Sequence, residues 1–352
     1  GVPHDPMTGS VKIVAPVAWL GSGRLVRYAA VVADAGVVTF AGKRLEAPPA
    51  DDAIDIGGFL MPAVADRHVH IRLSDPAAVL MGGVAAVRDL AWPADDILAL
   101  AQASELPSFN GPLVRAAGPM LTGPGGYPTT DRWAPPGTGR EIHGTEEAAG
   151  AVDDLADRGA SVIKVSLNAE SGPTPTDAEL ATIVQTARER GLGVTAHAEG
   201  PGQVERALGA GVGELAHCPW TERLSDTVIE QLARTTRIVS TLDIWSHGQV
   251  TPELRVACDN LARFRNAGGR VVYGTDLGNG DIPPGIDARE AMLLHEAARL
   301  PVEEVLTAMT AGAVAPGSPA DLIVLGRDPF DDLEAFADVR LVMRAGRIVR
   351  RT

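Results

Sequence analysis

The sequence predicts an α/β fold: a (β/α)8 TIM barrel carrying a small β-sandwich domain built from both termini. Three observations predict it. Eight short apolar runs alternate with helical stretches in the middle of the chain, β-rich segments stand at both ends, and 352 residues suit one large α/β unit with an appendage. The chain holds 31 basic against 45 acidic residues, a net charge of −14, and is 45% hydrophobic. It has material for a large core, and its acidic surface repels phosphate backbones and anionic membranes. Five Trp, three Tyr and six Phe are too few to build stacking platforms for single strands. The expected partner is a small-molecule substrate, with neither nucleic acid nor membrane.

The elements follow in order. Val11 to Ala18, Ala29 to Ala33 and Gly36 to Ala41 are β-like runs separated by Gly, Ser and Asp turn signals, and read as antiparallel strands. After Gly57-Gly58 come the eight runs of the barrel: Leu60 to Ala65, Val84 to Arg88, Leu113 to Ala116, Val162 to Leu167, Val194 to His197, Glu214 to His217, Ile238 to Leu242 and Val271 to Asp276. Helices are expected at Thr145 to Arg158, Asp177 to Arg190, Gly202 to Ala210, Asp226 to Thr235, Pro252 to Ala267, Asp287 to Arg299 and Pro301 to Thr310, several closed by Gly. From Ser318 the β grammar returns, with Ala320 to Leu325 and Val339 to Val349. An isolated pair of strands is marginal in water, so the two ends are expected to join. The division is then residues 1–59 with 318–352 as the small β domain, and residues 60–317 as the barrel. Gly118 to Gly139, rich in Gly and Pro, reads as a long functional or disordered loop after the third run.

Two cysteines, Cys218 and Cys258, make no disulfide framework. With no basic segment leading into an apolar one, and no run of about 20 apolar residues, the expected location is cytoplasmic. The six residues before Met7 read as foreign to the fold.

Functional groups of such a barrel sit at the carboxyl ends of its strands. The first run leads into Asp66-Arg67-His68-Val69-His70, the fourth contains Lys164, the fifth ends in His197, the sixth in His217 and the eighth in Asp276. His68 and His70, two apart on a strand, point to one face and can chelate one ion. Only three of the 31 basic residues are lysine, yet Lys164 stands in the apolar Ser-Val-Ile-Lys-Val-Ser-Leu. Burying an ammonium there lowers its pKa, and a neutral amine reacts with carbon dioxide to give an anionic carbamate able to bridge two cations. The competing reading pairs Lys164 with a buried carboxylate such as Asp276. His197 and His217 supply ligands for a second ion, and Asp276 can ligate the first ion and accept a proton.

On these residues the chain resembles the amidohydrolase superfamily, in its binuclear branch of prolidase-like and imidazolonepropionase-like metal-dependent hydrolases. The likeness runs from Val11 to Val349 and includes Gly-Gly-Phe-Leu-Met-Pro before Asp-Arg-His-Val-His, Gly-Gly-Val-Ala-Ala-Val-Arg-Asp-Leu, Ala-His-Ala-Glu-Gly, Ala-Gly-Val-Gly-Glu-Leu-Ala-His and Gly-Ser-Pro-Ala-Asp-Leu-Ile-Val-Leu. The resemblance implies two divalent ions, with His68, His70 and Asp276 on the buried one and His197 and His217 on the exposed one. N6-carboxylysine at Lys164 would bridge them. It implies that a hydroxide shared by the two ions attacks the carbonyl of an amide, dipeptide-like or cyclic amide, with Asp276 as general base and acid. Zinc suits the nitrogen-rich ligands, although manganese, cobalt and iron occupy comparable sites. Barrels of this family often associate, so a homo-oligomer is expected.

The chain departs from the family pattern in places. Ala63 replaces the common Gly after Pro, Thr310 to Gly317 is a short connection, and Gly-Pro-Gly-Gly-Tyr-Pro-Thr stands where prolidase-like relatives have Gly-Gly-His. Substrate preference is therefore not inherited, and lactone, ester or phosphotriester hydrolysis uses the same site. A mononuclear deaminase is the nearest rival, but it lacks the strand-four lysine and has Glu three residues after the fifth-strand His, where this chain has Gly200 and places Glu199 two after His197. A scaffold role requires lost ligands, and all six are present. Substrate contacts are expected from Tyr127, Arg132, Trp133 and His143 in the long loop region, and from Asp243, Trp245 and His247 after the seventh run. His143 or Arg132 is the candidate to meet a substrate carboxylate.

Overall fold

The computed structural model describes residues 9–352; the reading of the residues before Met7 lies outside them. The chain opens with β1 (Val11–Trp19), β2 (Leu25–Asp34), β3 (Val37–Lys43), β4 (Asp52–Asp55) and β5 (Phe59–Pro62). It continues through β6 (Val64–Val69), α1 (Pro76–Met81), β7 (Val84–Asp89), α2 (Ala94–Ala103), β8 (Leu113–Ala116), β9 (Met120–Thr122), β10 (Gly139–Glu141), α3 (Thr145–Asp157) and β11 (Ile163–Asn168). Next come α4 (Asp177–Glu189), β12 (Val194–Glu199), α5 (Gln203–Ala210), β13 (Glu214–Leu215), α6 (Asp226–Thr235), β14 (Arg237–Val239), α7 (Pro252–Asn266) and β15 (Val271–Val272). It closes with α8 (Ala288–Glu296), α9 (Val302–Met309), β16 (Leu322–Leu325), β17 (Val339–Arg344) and β18 (Arg347–Arg351).

Strands from both ends of the chain do join. They form one eight-stranded sheet in the order β18-β17-β16-β5-β1-β2-β3, with β4 alongside β1. Hydrogen bonding is continuous across it, so there is one sheet where a sandwich has two. It folds back on itself: Val38 N donates to Ser318 O at 2.9 Å and Ala320 N to Gly36 O at 2.9 Å. Ile13, Val31, Val38, Leu322 and Leu341 fill the space inside the fold.

The middle of the chain is α/β with parallel sheets. One runs β6-β7-β8 and the other β10-β9-β11-β12-β13-β14-β15. Backbone hydrogen bonds cross between them on both sides. Ser161 N, entering β11, donates to Ala116 O of β8 at 2.9 Å, while His70 N, after β6, donates to Leu277 O at 2.8 Å and Asp276 N to His68 O at 2.7 Å. Helices cover the outer faces with apolar stripes. In α4, Leu180, Ile183, Val184 and Ala187 are buried at helical spacing. A capping box starts it: Glu179 N donates to Thr176 Oγ1 at 3.1 Å and Thr176 N to Glu179 Oε1 at 2.8 Å. No helix among the described residues is long and apolar enough to cross a membrane.

Several element boundaries differ from those expected, β13, β14 and β15 being shorter and β4, α1 and α2 unforeseen, and three differences change the topology. The run Leu60 to Ala65 is two strands, because β5 pairs with β1 and β16 while β6 begins a parallel sheet. Pro62 offers no N–H, Ala63 N donates to Asp321 O, and Val64 N already donates to Gly83 O. The chain therefore changes sheets within two residues. The long loop contains β9, which pairs with β11, and ends in β10. Val339 to Val349 is a hairpin, broken where Ala345 and Gly346 both take positive φ, as a type I′ turn requires.

Candidate metal centre

Side chains two apart share a face of a strand. On β6 and just beyond it these are Asp66, His68 and His70, on β11 Lys164, Ser166 and Asn168, and on β12 Thr195, His197 and Glu199, all buried. Parallel pairing sets Lys164 beside Thr195 and Ser166 beside His197. His217 and Asp276 follow β13 and β15. Asp276 Oδ1 lies 3.1 Å from His70 Nε2 and 3.3 Å from His68 Nε2, and its Oδ2 3.9 Å from His217 Nε2. The His217 ring centroid is 4.5 Å from that of His68 and 4.6 Å from that of His197. Two groups result, each with ligand atoms within 4.8 Å of one another: His68, His70 and Asp276, and His197, Glu199 and His217.

Each imidazole has one nitrogen tied to the protein. His68 Nδ1 donates to Ala216 O at 2.7 Å and His70 Nδ1 to Ala91 O at 3.2 Å, leaving both Nε2 atoms facing Asp276. His217 Nδ1 lies 2.8 Å from Thr241 Oγ1. His197 is the reverse case, with Nε2 2.7 Å from Glu199 Oε1, which also accepts from Trp220 Nε1 at 2.9 Å. Buried Asp66 fixes the strand ends by accepting from His68 N, Thr275 N and Thr275 Oγ1. Asp276 itself sits at φ +61°, a conformation that costs a non-glycine residue roughly 1–3 kcal/mol and that the surrounding hydrogen bonds must hold.

Lys164 is fully buried and its Nζ has no hydrogen-bond partner among the described residues. The proposed alternative, a direct pair with a carboxylate such as Asp276, does not form. Burial lowers the Lys164 ammonium to about 8. The His68 and His217 imidazoles are also held well below their usual value, first by burial and then by neighbouring positive charge. Neutral imidazoles and a near-neutral amine are nucleophilic and ligating forms. An orphaned amine among inward-facing imidazoles and a carboxylate fits a site built for cations.

A pocket of about 370 Å³ opens over this cluster and is lined by His197, Glu199, His217 and Asp276. Of the expected substrate contacts, Tyr127 and His247 line it, together with Asp243 and Trp245. The Tyr127 ring lies 5.2 Å from that of His197. It is delivered by a tight loop: a Cβ on Gly123 would stand 2.8 Å from Thr174 O, and one on Gly126 2.3 Å from Pro173 O. Trp133 covers His70 at 4.7 Å instead of reaching the pocket. Arg132 is exposed and outside the lining. His143 is also outside it, exposed and held by Glu147 at 3.4 Å. The sequence reading missed Asn168, Ser171 and Arg289, which also line the pocket. Asn168 was reachable, since it continues the Lys164 face of its strand; Arg289 sits on a helix after the eighth run and left no periodic signal.

Comparison with known proteins agrees with this arrangement. The amidohydrolase family profile matches residues 59–349. The chain belongs to the amidohydrolase family. Its family is one of metal-dependent hydrolases acting on carbon–nitrogen bonds, and the resemblance read from the sequence is thereby confirmed. No curated protein matches. Solved structures similar to it include A. niger ochratoxinase (22% identity, 97% of this chain and 96% of that one, TM-score 0.82). A Xaa-Pro dipeptidase with methionine in its active site is 20% identical over 96% of this chain and 99% of that one, with TM-score 0.81. A prolidase complexed with N-methylphosphonate-L-proline is 22% identical over 97% and 100%, with TM-score 0.80. At these identities the likeness is one of fold.

Proposed function

We propose that this family member is a binuclear amide hydrolase acting on a small-molecule substrate. His68, His70 and Asp276 would hold one divalent ion and His197 and His217 a second, with carboxylated Lys164 as a ligand available to both. The observation that carries the reading is the Lys164 amine, buried without a partner beside Asp276 and the histidines. As a neutral amine it would add to carbon dioxide: a C–N bond forms, one C–O π pair moves onto oxygen, and one N–H proton leaves to solvent, giving a carbamate whose two oxygens could ligate cations. Zinc fits a set with four imidazoles.

Bound there, the ions supply a Lewis acid for the substrate carbonyl and a water acidic enough to act near neutral pH. Asp276 lines the pocket, with its Oδ2 3.9 Å from His217 Nε2, and would accept the proton of the attacking water and return it to the leaving nitrogen. Tyr127 stays a neutral phenol, since burial pushes its pKa up. It stands where prolidase-like relatives carry His, and can donate a hydrogen bond to the carbonyl oxygen. The same reading takes the two parallel sheets as one (β/α)8 barrel of residues 60–317, supported by the hydrogen bonds that cross between them on both sides. Residues 1–59 and 318–352 are its small β domain.

The test is metal content per chain, by plasma emission, on protein grown with bicarbonate and zinc, beside Lys164→Ala. About two ions in the parent and one or fewer in the variant are expected. One ion in both would remove the bridge and favour a mononuclear deaminase; no ion in either would point to a scaffold.

A further inference from the structure

The pocket described above contains one arginine and no lysine among its lining residues: Arg289, near the start of α8. Its guanidinium is held at one end only. Nη2 donates to Ser246 Oγ at 2.6 Å and lies 3.0 Å from Asp243 Oδ1, and among the described residues Nη1 and Nε make no hydrogen bond. The side chain is 44% exposed, whereas Asp243 beneath it is 3% exposed. The anchor beneath is itself rigid. Ser246 Oγ also donates to Asp243 Oδ1 at 2.5 Å, and buried Glu290 accepts the backbone N–H groups of Leu242 and Asp243 at 2.8 and 2.7 Å. An arginine pinned by one nitrogen, with the other two free at a pocket wall, presents the planar fork that binds a carboxylate through two parallel hydrogen bonds. The other charges of the wall do not compete for it. Glu199 is tied to His197 and Trp220, Asp276 belongs to the metal cluster, and Asp281 is exposed at the rim. Ile244, Trp245 and Ile282 line the same wall and offer apolar contact.

We propose that Arg289 anchors a free carboxylate on the substrate, so that the pocket takes N-acyl amino acids and dipeptides with apolar side chains in preference to neutral amides. This rests on the hydrolase reading of the same pocket. It also moves the expected carboxylate partner from Arg132 and His143, which stand outside the lining, to a residue within it. Arg289 is a specificity determinant, reading the substrate at the end away from the bond that breaks.

The experiment separates binding from turnover. Zinc-loaded Asp276→Asn protein is titrated calorimetrically with a panel of apolar N-acetyl amino acids and with their carboxamides. The acid is expected to bind at least tenfold more tightly than its amide. The ratio should fall to near one when Arg289→Gln is added, and Arg289→Lys should restore part of it. Acids and amides binding alike, no acid binding, or a ratio that survives Arg289→Gln would each overturn the assignment. Turnover of the same panel by the parent protein is then read alone. An acid preference in binding without hydrolysis of any compound would leave Arg289 as the carboxylate anchor and sink the hydrolase reading instead.

Discussion

A histidine presents one nitrogen to a metal only when something holds the other, and the four imidazoles here differ in what that is. Carbonyl oxygens hold His68 and His70, a threonine hydroxyl lies against His217, and a carboxylate holds His197. Glu199 is the one charged partner of the set, pinned in turn by Trp220. With Nε2 bonded to Glu199, the nitrogen left to His197 is Nδ1, so Glu199 acts as a positioning residue through the imidazole. Glu199→Gln is expected to weaken metal binding at the His197–His217 group by about 10- to 100-fold while sparing the His68–His70–Asp276 group. Chelator competition with the zinc-loaded protein reads this directly, and two unchanged affinities would show that Glu199 only fills space. At this scale the sequence was most informative where a residue type is out of place. A lone lysine in an apolar run and a His-x-His pair stand out by themselves, whereas Glu199 gains its meaning only from the ring it touches.

The start of α8 gathers carboxylates under the pocket wall: Asp243, Asp287 and Glu290 are all buried. The Asp287 carboxyl is pushed up to about 9, first by burial and then by the neighbouring Asp243 carboxylate. The ordinary value for the unfolded chain is 3.8, so the folded state favours the protonated form. Its contribution to stability is complete below about pH 3.8 and is lost progressively as pH rises toward 9. Asp287→Asn keeps an oxygen to cap Arg289 N, which Asp287 Oδ1 now accepts at 3.1 Å. The variant should therefore lose less melting temperature than the parent between pH 5 and pH 9. Parallel melting curves over that range check it; a constant offset would mean that Asp287 does not titrate there. Helices and strands were legible wherever periodicity was strong, as in α4 and α7. Boundaries set by partner choice were not: nothing local in Leu60 to Ala65 says that the first residues join β16 and the last join β7.

Across the whole molecule, the terminal sheet is fastened to the rest by a buried arginine. Arg344 of β17 is 4% exposed, and it donates to Ser104 O after α2 and to Gly111 O at 3.0 Å. Charged donors to buried carbonyls are among the stronger hydrogen bonds, and truncation strands their acceptors. Arg344→Ala should cost about 2–4 kcal/mol in urea denaturation, with Arg344→Lys intermediate. A loss under 0.5 kcal/mol would show that the two parts hold together without it. The acidic balance of the chain acts on the same scale, disfavouring anionic partners without choosing a substrate.

The sequence by itself determined what depends on local chemistry and period: the α/β class, the alternation of strands and helices, and the gathering of metal-ligating residue types at and beyond strand ends. Lys164 and His197 lie on strands and His68 and His70 on or just past one, their faces set by a period of two, whereas His217 and Asp276 stand in the loops that follow β13 and β15. Only the tertiary structure decided the rest. It showed one folded sheet in place of a sandwich, left Lys164 without a partner, withdrew Arg132 and His143 from the pocket, and brought Arg289 to it. Those outcomes depend on contacts between residues tens to hundreds of positions apart, and no spacing along a chain encodes which loop will fold over which strand end.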